Sequence, residues 1–149
     1  MKKFALIMSC FTLLAGLFSP STKAAGYQDG VNIDIARNYQ SLEHLKKIVE
    51  RIDESNGNYL HLHFSDDQGY RIASDILGQT STEKNNQYLT KSEVKSLINY
   101  ANERDIMVVP ELDVPAHSTA WLNLLKQSNP EAYKETVSDF DSGMVNFFR

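Results

Sequence analysis

The hydrophobic period changes several times along the chain, and each change marks an element. Gly30-Val31-Asn32-Ile33-Asp34-Ile35-Ala36 alternates apolar and polar side chains, as a short half-buried strand does. From Ser41 the period lengthens. Leu42, Leu45, Ile48, Val49 and Ile52 fall on one helical face, with Ser41 at the N-cap and Asn56-Gly57 as the stop. Tyr59 to Phe64 returns to strand spacing, placing Leu60, Leu62 and Phe64 on one face and His61 and His63 on the other. A polar loop runs from about Gly78 to Gln87. Thr90-Lys91-Ser92-Glu93 is a capping box, and it opens a helix whose stripe is Val94, Leu97, Ile98 and Ala101. The continuous apolar run Ile106-Met107-Val108-Val109 predicts a parallel strand buried on both faces. A third helix is expected around Ala120 to Lys126, and Asn129-Pro130-Glu131 looks like the start of a fourth.

Three strand–helix units in succession predict an α/β fold with a parallel sheet and helices packed outside it. The sheet could be open and doubly wound, or it could belong to a (β/α)8 barrel. An open sheet usually carries a glycine-rich phosphate turn after its first strand. Here Arg37-Asn38-Tyr39-Gln40 follows instead, which favours the barrel. A closed barrel typically needs about 250 residues, and the sequence has 149. The expectation is therefore a partial (β/α)8 TIM barrel made of its first three βα units.

The N-terminus reads differently. Met1-Lys2-Lys3 is basic, Phe4 to Phe18 is apolar and uncharged, and Ser19-Pro20-Ser21-Thr22-Lys23-Ala24 ends on small residues. This is the three-part pattern of a secretory signal over residues 1–24, with Thr22 and Ala24 at the small positions before the cut. It predicts export to the periplasm or the medium, leaving a domain over residues 25–149. No apolar run reaches the ~18 residues of a spanning helix. The formal charge is −4 for the whole chain. It becomes −7 without residues 1–24, which hold three lysines and no acid. That balance excludes a nucleic-acid partner. The single cysteine, Cys10, lies in the leader, so a disulfide framework and a multi-cysteine metal site are excluded too. With 42% hydrophobic and 23% charged residues, the composition is that of a folded globular domain.

Ligand sites in α/β folds lie beyond the carboxyl ends of the parallel strands. Arg37 follows the first strand, His63, Asp66 and Asp67 close or follow the second, and Glu111, Asp113 and His117 follow the third. Each has a bland alternative: a surface ion pair for Arg37, a satisfied interior histidine for His61 or His63, a turn cap for Asp66 or Asp67. Their collection at one end is what argues for a site. Two chemistries fit. A histidine pair with nearby carboxylates can hold a divalent metal, as in metal-dependent barrel hydrolases, with His117 as the third imidazole. Alternatively, an arginine and carboxylates give directional hydrogen bonds to sugar hydroxyls, and a histidine–aspartate pair can orient a catalytic acid.

Three stretches carry a family resemblance: Gly30 to Arg37, then His61-Leu62-His63-Phe64-Ser65-Asp66-Asp67-Gln68-Gly69-Tyr70-Arg71, then Val109-Pro110-Glu111-Leu112-Asp113-Val114-Pro115-Ala116-His117-Ser118. In this order and spacing they strongly resemble glycoside hydrolase family 20, the β-N-acetylhexosaminidases. Gly57 to Asp66 also resembles the dispersin branch. The resemblance implies that Arg37 binds hydroxyls of a terminal N-acetylated sugar, that Asp66 and His117 support the catalytic acid, and that His63 and Glu111 line the same pocket. It implies an N-acetylhexosamine-containing glycan as partner, with neither cofactor nor metal. It also implies substrate-assisted hydrolysis, in which the sugar's own acetamido oxygen attacks the anomeric carbon. In the family an aspartate orients that acetamide and the adjacent glutamate protonates the leaving oxygen, in a Gly-Gly-Asp-Glu context. The sequence contains no Gly-Gly-Asp-Glu, and its one tryptophan, Trp121, is expected on a helix rather than in a sugar pocket. The expectation is a truncated catalytic domain, with a non-catalytic sugar-binding or vestigial secreted fragment as the alternative and a metal-dependent hydrolase third.

Overall fold

The computed structural model describes residues 27–146, so the leader expected over residues 1–24 lies outside the described residues. Along the chain come β1 (Gly30–Asp34), α1 (Leu42–Glu54), β2 (Tyr59–Asp66), β3 (Gly69–Tyr70), α2 (Lys91–Asn102), β4 (Met107–Leu112), α3 (Thr119–Ser128) and α4 (Pro130–Thr136). The strand β2 is central. It pairs parallel with β1 from Gly30↔Tyr59 to Asp34↔His63, and parallel with β4 from Tyr59↔Met107 to Ser65↔Leu112. The short β3 adds an antiparallel pair, Ser65↔Tyr70 and Asp66↔Gly69. The fold is α/β with a mixed sheet, and β3 is the strand that the sequence pattern did not predict.

Both sheet-covering helices begin and end as their sequences dictate. Ser41 Oγ accepts the His44 N–H at 3.3 Å to open α1, and Thr90 and Glu93 form the reciprocal capping box that opens α2. At the far ends, Asn56 (φ 59°) and Asp105 (φ 55°) take left-handed conformations. The next N–H then folds back, Gly57 onto Ile52 O at 2.8 Å and Ile106 onto Ala101 O at 3.0 Å. Each turn hands the chain straight to a strand. Gly57 is required sterically, because a Cβ there would sit 2.7 Å from Ile52 Cγ2.

The core lies on one face of the sheet. Leu60, Leu62 and Phe64 of β2 meet Leu45, Val49 and Ile52 of α1 and Leu97 and Ala101 of α2, with Ile35, Leu89 and Ile106 closing the cluster. Two expectations are corrected. The alternation through Ile35 and Ala36 does not extend β1, because both N–H groups converge on the single carbonyl of His63 (3.0 and 3.1 Å) and turn the chain out of the ladder. Nor is β4 buried on both faces: Met107 is 54% exposed and Leu112 50%. Its apolar run is covered on the helix side only, and among the described residues β2 is its sole partner strand. Among the described residues no helix is long and apolar enough to cross a membrane.

Candidate functional site

The other face of the sheet is polar, and the parallel register arranges it in rows. Asn32 of β1 stands beside His61 of β2, and its Nδ2 lies 3.2 Å from His61 Nδ1. One step further along, Asp34, His63 and Glu111 form a row across β1, β2 and β4. Glu111 spans two rows: Oε2 is 2.9 Å from His61 Nε2, and Oε1 is 3.0 Å from His63 Nδ1.

The turn after β1 aims Arg37 at this row. Its backbone N–H donates to Asp34 Oδ1 at 2.9 Å, its Nη1 donates to Asp34 Oδ2 at 2.7 Å, and its Nη2 donates to Asp66 Oδ2 at 2.5 Å. Asp66 is almost fully buried, whereas Arg37 is nearly half exposed and keeps N–H donors for a ligand. Its pKa is raised, first by the hydrogen bond to Asp34 and, against some burial, by the charges of Asp66 and Asp34. Burial pushes the Asp34 carboxyl up, but the Arg37 backbone and guanidinium outweigh it and hold the group below the ordinary value of 3.8. Arg71 fixes this turn from behind: its Nε donates to Ala36 O at 3.0 Å.

The loop after β4 brings in His117, whose φ is 54°. The buried Ser118 closes the loop by donating from Oγ towards Pro115 O and Ala116 O, each at 3.2 Å. His117 Nδ1 then lies 3.1 Å from Asp67 Oδ2 and 3.8 Å from Asp66 Oδ2. The structure thus brings Arg37, His63, Asp66, Glu111 and His117 together, but the nearer carboxylate to His117 is Asp67. Asp67 Oδ1 also accepts from Thr119 Oγ1 (2.6 Å) and from Thr119 N–H (3.2 Å), joining the loop after β2 to the start of α3. The Thr119 hydroxyl leads the causes that lower the Asp67 pKa below 3.8, and His117 adds to them. Asp67 has a positional role that adjacency to Asp66 concealed in the sequence. Trp121 lies on α3, as expected.

Among the described residues, two sets of side chains could gather a cation, His63–Asp66–Asp113 and Asp66–Asp67–His117. Asp66 is common to both, and its Oδ2 already carries the Arg37 guanidinium. A guanidinium already fixed on the shared carboxylate competes with a metal ion at either set.

Known proteins resemble this chain over most of its described length. The family model for the catalytic domain of glycosyl hydrolase family 20 matches residues 28–146. A beta-hexosaminidase from Vibrio furnissii is 32% identical, over 66% of this chain and 19% of its own length. Among solved structures, Dispersin B superposes with a TM-score of 0.75 at 29% identity, covering 82% of this chain and 40% of that one. Streptomyces plicatus N-acetyl-beta-hexosaminidase superposes with a TM-score of 0.56 at 31% identity, over 80% of this chain and 23% of that one. The chain spans about a fifth of the length of the curated relatives it matches (19% and 17% for two of them). With three motifs placed on one polar sheet face and the family model matched across nearly all described residues, the chain belongs to glycosyl hydrolase family 20.

Proposed function

We propose that this chain forms the first three βα units of a (β/α)8 barrel and one wall of a pocket for a terminal N-acetylhexosamine, in a β-N-acetylhexosaminidase-type site. The observation that carries the reading is the Arg37–Asp66 pair, with His117 beside it, at the carboxyl ends of the parallel β1, β2 and β4. Arg37 offers its remaining N–H groups to sugar hydroxyls, while His63 and Glu111 line the pocket floor. Asp66 and His117 support the catalytic acid. In substrate-assisted hydrolysis the sugar's acetamido oxygen attacks the anomeric carbon as the glycosidic oxygen takes a proton. The proton donor and the acetamide-orienting group would come from a Gly-Gly-Asp-Glu segment, which this sequence does not contain. That absence favours sugar binding without turnover by this chain alone, since general acid catalysis typically supplies about 10²–10⁴-fold by itself.

The test is a pair of measurements on this chain. Titration with N-acetylglucosamine should perturb backbone signals around Arg37, Asp66 and His117. Arg37→Ala should weaken this binding by the ~1.5–3 kcal/mol of a hydrogen bond to a charged group, on the order of 10–100-fold. A chromogenic N-acetylhexosaminide should release no product. Turnover abolished by Asp66→Ala would show that the supporting residues suffice and would overturn this division of roles. The leader pattern calls for exported mature protein that begins at Ala25, checked by mass spectrometry of exported material.

A further inference from the structure

We infer that His63 stands on the polar face as a doubly protonated imidazolium and acts as a positioning residue, holding the Asp66 and Glu111 carboxylates apart and in place. The assignment follows from donor and acceptor counting. His63 Nε2 faces Asp66 Oδ2 at 3.4 Å, and Nδ1 faces Glu111 Oε1 at 3.0 Å. Asp66 has no proton to give back, because Oδ2 already accepts from Arg37 and Oδ1 accepts from the Gln68 N–H. The Nε2 atom must therefore donate. Glu111 takes His61 Nε2 on its second oxygen, and the Asn32 Nδ2 donor against His61 Nδ1 leaves Nε2 as the ring nitrogen that donates to Glu111. Glu111 thus receives a donor on each oxygen, one from each histidine.

The charge balance points the same way. Around His63 stand Asp34 from β1, Asp66 at the end of β2, Glu111 from β4 and Asp113 just beyond it, against one permanent cation, Arg37. His117 lies on the far side of Asp66 and is directed at Asp67. Without a second positive charge, carboxylates on neighbouring strands would repel across a largely buried ring, since the His63 side chain is only 10% exposed. Burial lowers the His63 pKa, but the hydrogen bond and charge of Glu111, then Asp66 and Asp34, more than offset it and raise it above 6.5. The sign follows by linkage. A raised folded pKa contributes stability fully present below the unfolded value, and lost as pH rises through the folded value. The proposal deepens the sugar-site reading and rests on it only for the purpose of the held carboxylates. The charge state itself is a property of the unliganded chain.

Ring nitrogen signals of 15N-histidine protein test it. The sequence has four histidines, His44, His61, His63 and His117, so each signal is assigned by its loss in a His→Gln variant. Should His63→Gln not fold, elimination through the other three assigns His63. The expected result is a His63 ring with two protonated nitrogens of similar shift at pH 6.5, and a titration midpoint above that value. Glu111→Gln should move the midpoint down, and Asp66→Asn should move it down by less, following their distances. A singly protonated His63 ring at pH 6.5, or a midpoint indifferent to both variants, overturns the proposal. No sugar is present in this experiment. Its failure therefore appears in the ring signals, while failure of the sugar reading appears in the N-acetylglucosamine titration.

Discussion

The two faces of β2 follow opposite physics within one eight-residue strand. On one face Leu60, Leu62 and Phe64 are buried against helices. On the other, His61 and His63 engage Asn32, Asp66 and Glu111 through hydrogen bonds and charge. Burial on the first face is non-directional, so any apolar residue of the right volume would serve it. The second face depends on particular atoms at 2.5 to 3.4 Å. The alternation of the strand couples them: a slip of one residue in register would exchange the faces, losing core and site together. The covered face thereby fixes the geometry of the bare one.

The sharpest way to break this contrast is Leu60→Ala. Leu60 is fully buried at the centre of the covered face. The change should cost about 2–5 kcal/mol, a large part of the ~5–15 kcal/mol that holds a typical domain together. Urea unfolding should show a much lower midpoint, whereas His61→Ala, one residue along and partly exposed, should move it far less. Equal effects would mean that the polar face is as structural as the core.

Asp66→Asn probes the bare face. The amide keeps the shape but loses the charge that Arg37 and His63 share, which should cost about 1–3 kcal/mol. The half exposure of Arg37 keeps the loss below that of a fully buried pair, since water can solvate the freed guanidinium. The same urea measurement checks it, and N-acetylglucosamine binding should fall with it. A smaller effect belongs to the helix layer. Thr90→Ala removes one half of the capping box and should cost ~1 kcal/mol while leaving the polar face intact. Lost sugar binding in this variant would show that the layers are not separable.

How much of this was legible differs by face as well. The covered face was, because helix stripes and caps are local: Ser41, Thr90 and Asn56-Gly57 mark the ends of α1 and α2 where the structure has them. That Arg37, His63, Asp66, Glu111 and His117 share one end of the sheet was legible, because parallel strands gather whatever closes or follows each of them; their selection from the seven polar residues there rested on the family resemblance. The exposure of β4 was not. An apolar run such as Met107-Val108-Val109 does not state how many of its faces are covered, which depends on the neighbouring layers. The strand β3 was not, since Gly69–Tyr70 is too short to show a period. Nor was the division of labour between Asp66 and Asp67. They are the same residue type side by side, and only the exit of the chain from β2 sends one towards Arg37 and the other towards His117 and Thr119.

That division gives the smallest expected effect. Ser118, the N-cap residue of α3, makes no side-chain capping bond. Asp67 does the work from another loop, placing a carboxylate on the Thr119 N–H and hydroxyl, where the helix dipole favours negative charge. Asp67 is 44% exposed, so solvent screens the interaction, and Asp67→Asn should cost only ~0.3–1 kcal/mol near neutral pH. The pH dependence identifies the source. The folded pKa lies below 3.8, so the charge contributes stability above the unfolded value, and that stability is lost as pH falls through the folded one. Urea midpoints of the native and Asp67→Asn chains should differ at neutral pH and converge in acid, where both carry an uncharged side chain. Urea midpoints that stay apart by the same amount in acid would show that hydrogen-bond geometry, not charge, anchors α3 to the loop after β2. The ring signal of His117 in the variant would then tell whether Asp67 or Asp66 sets its orientation.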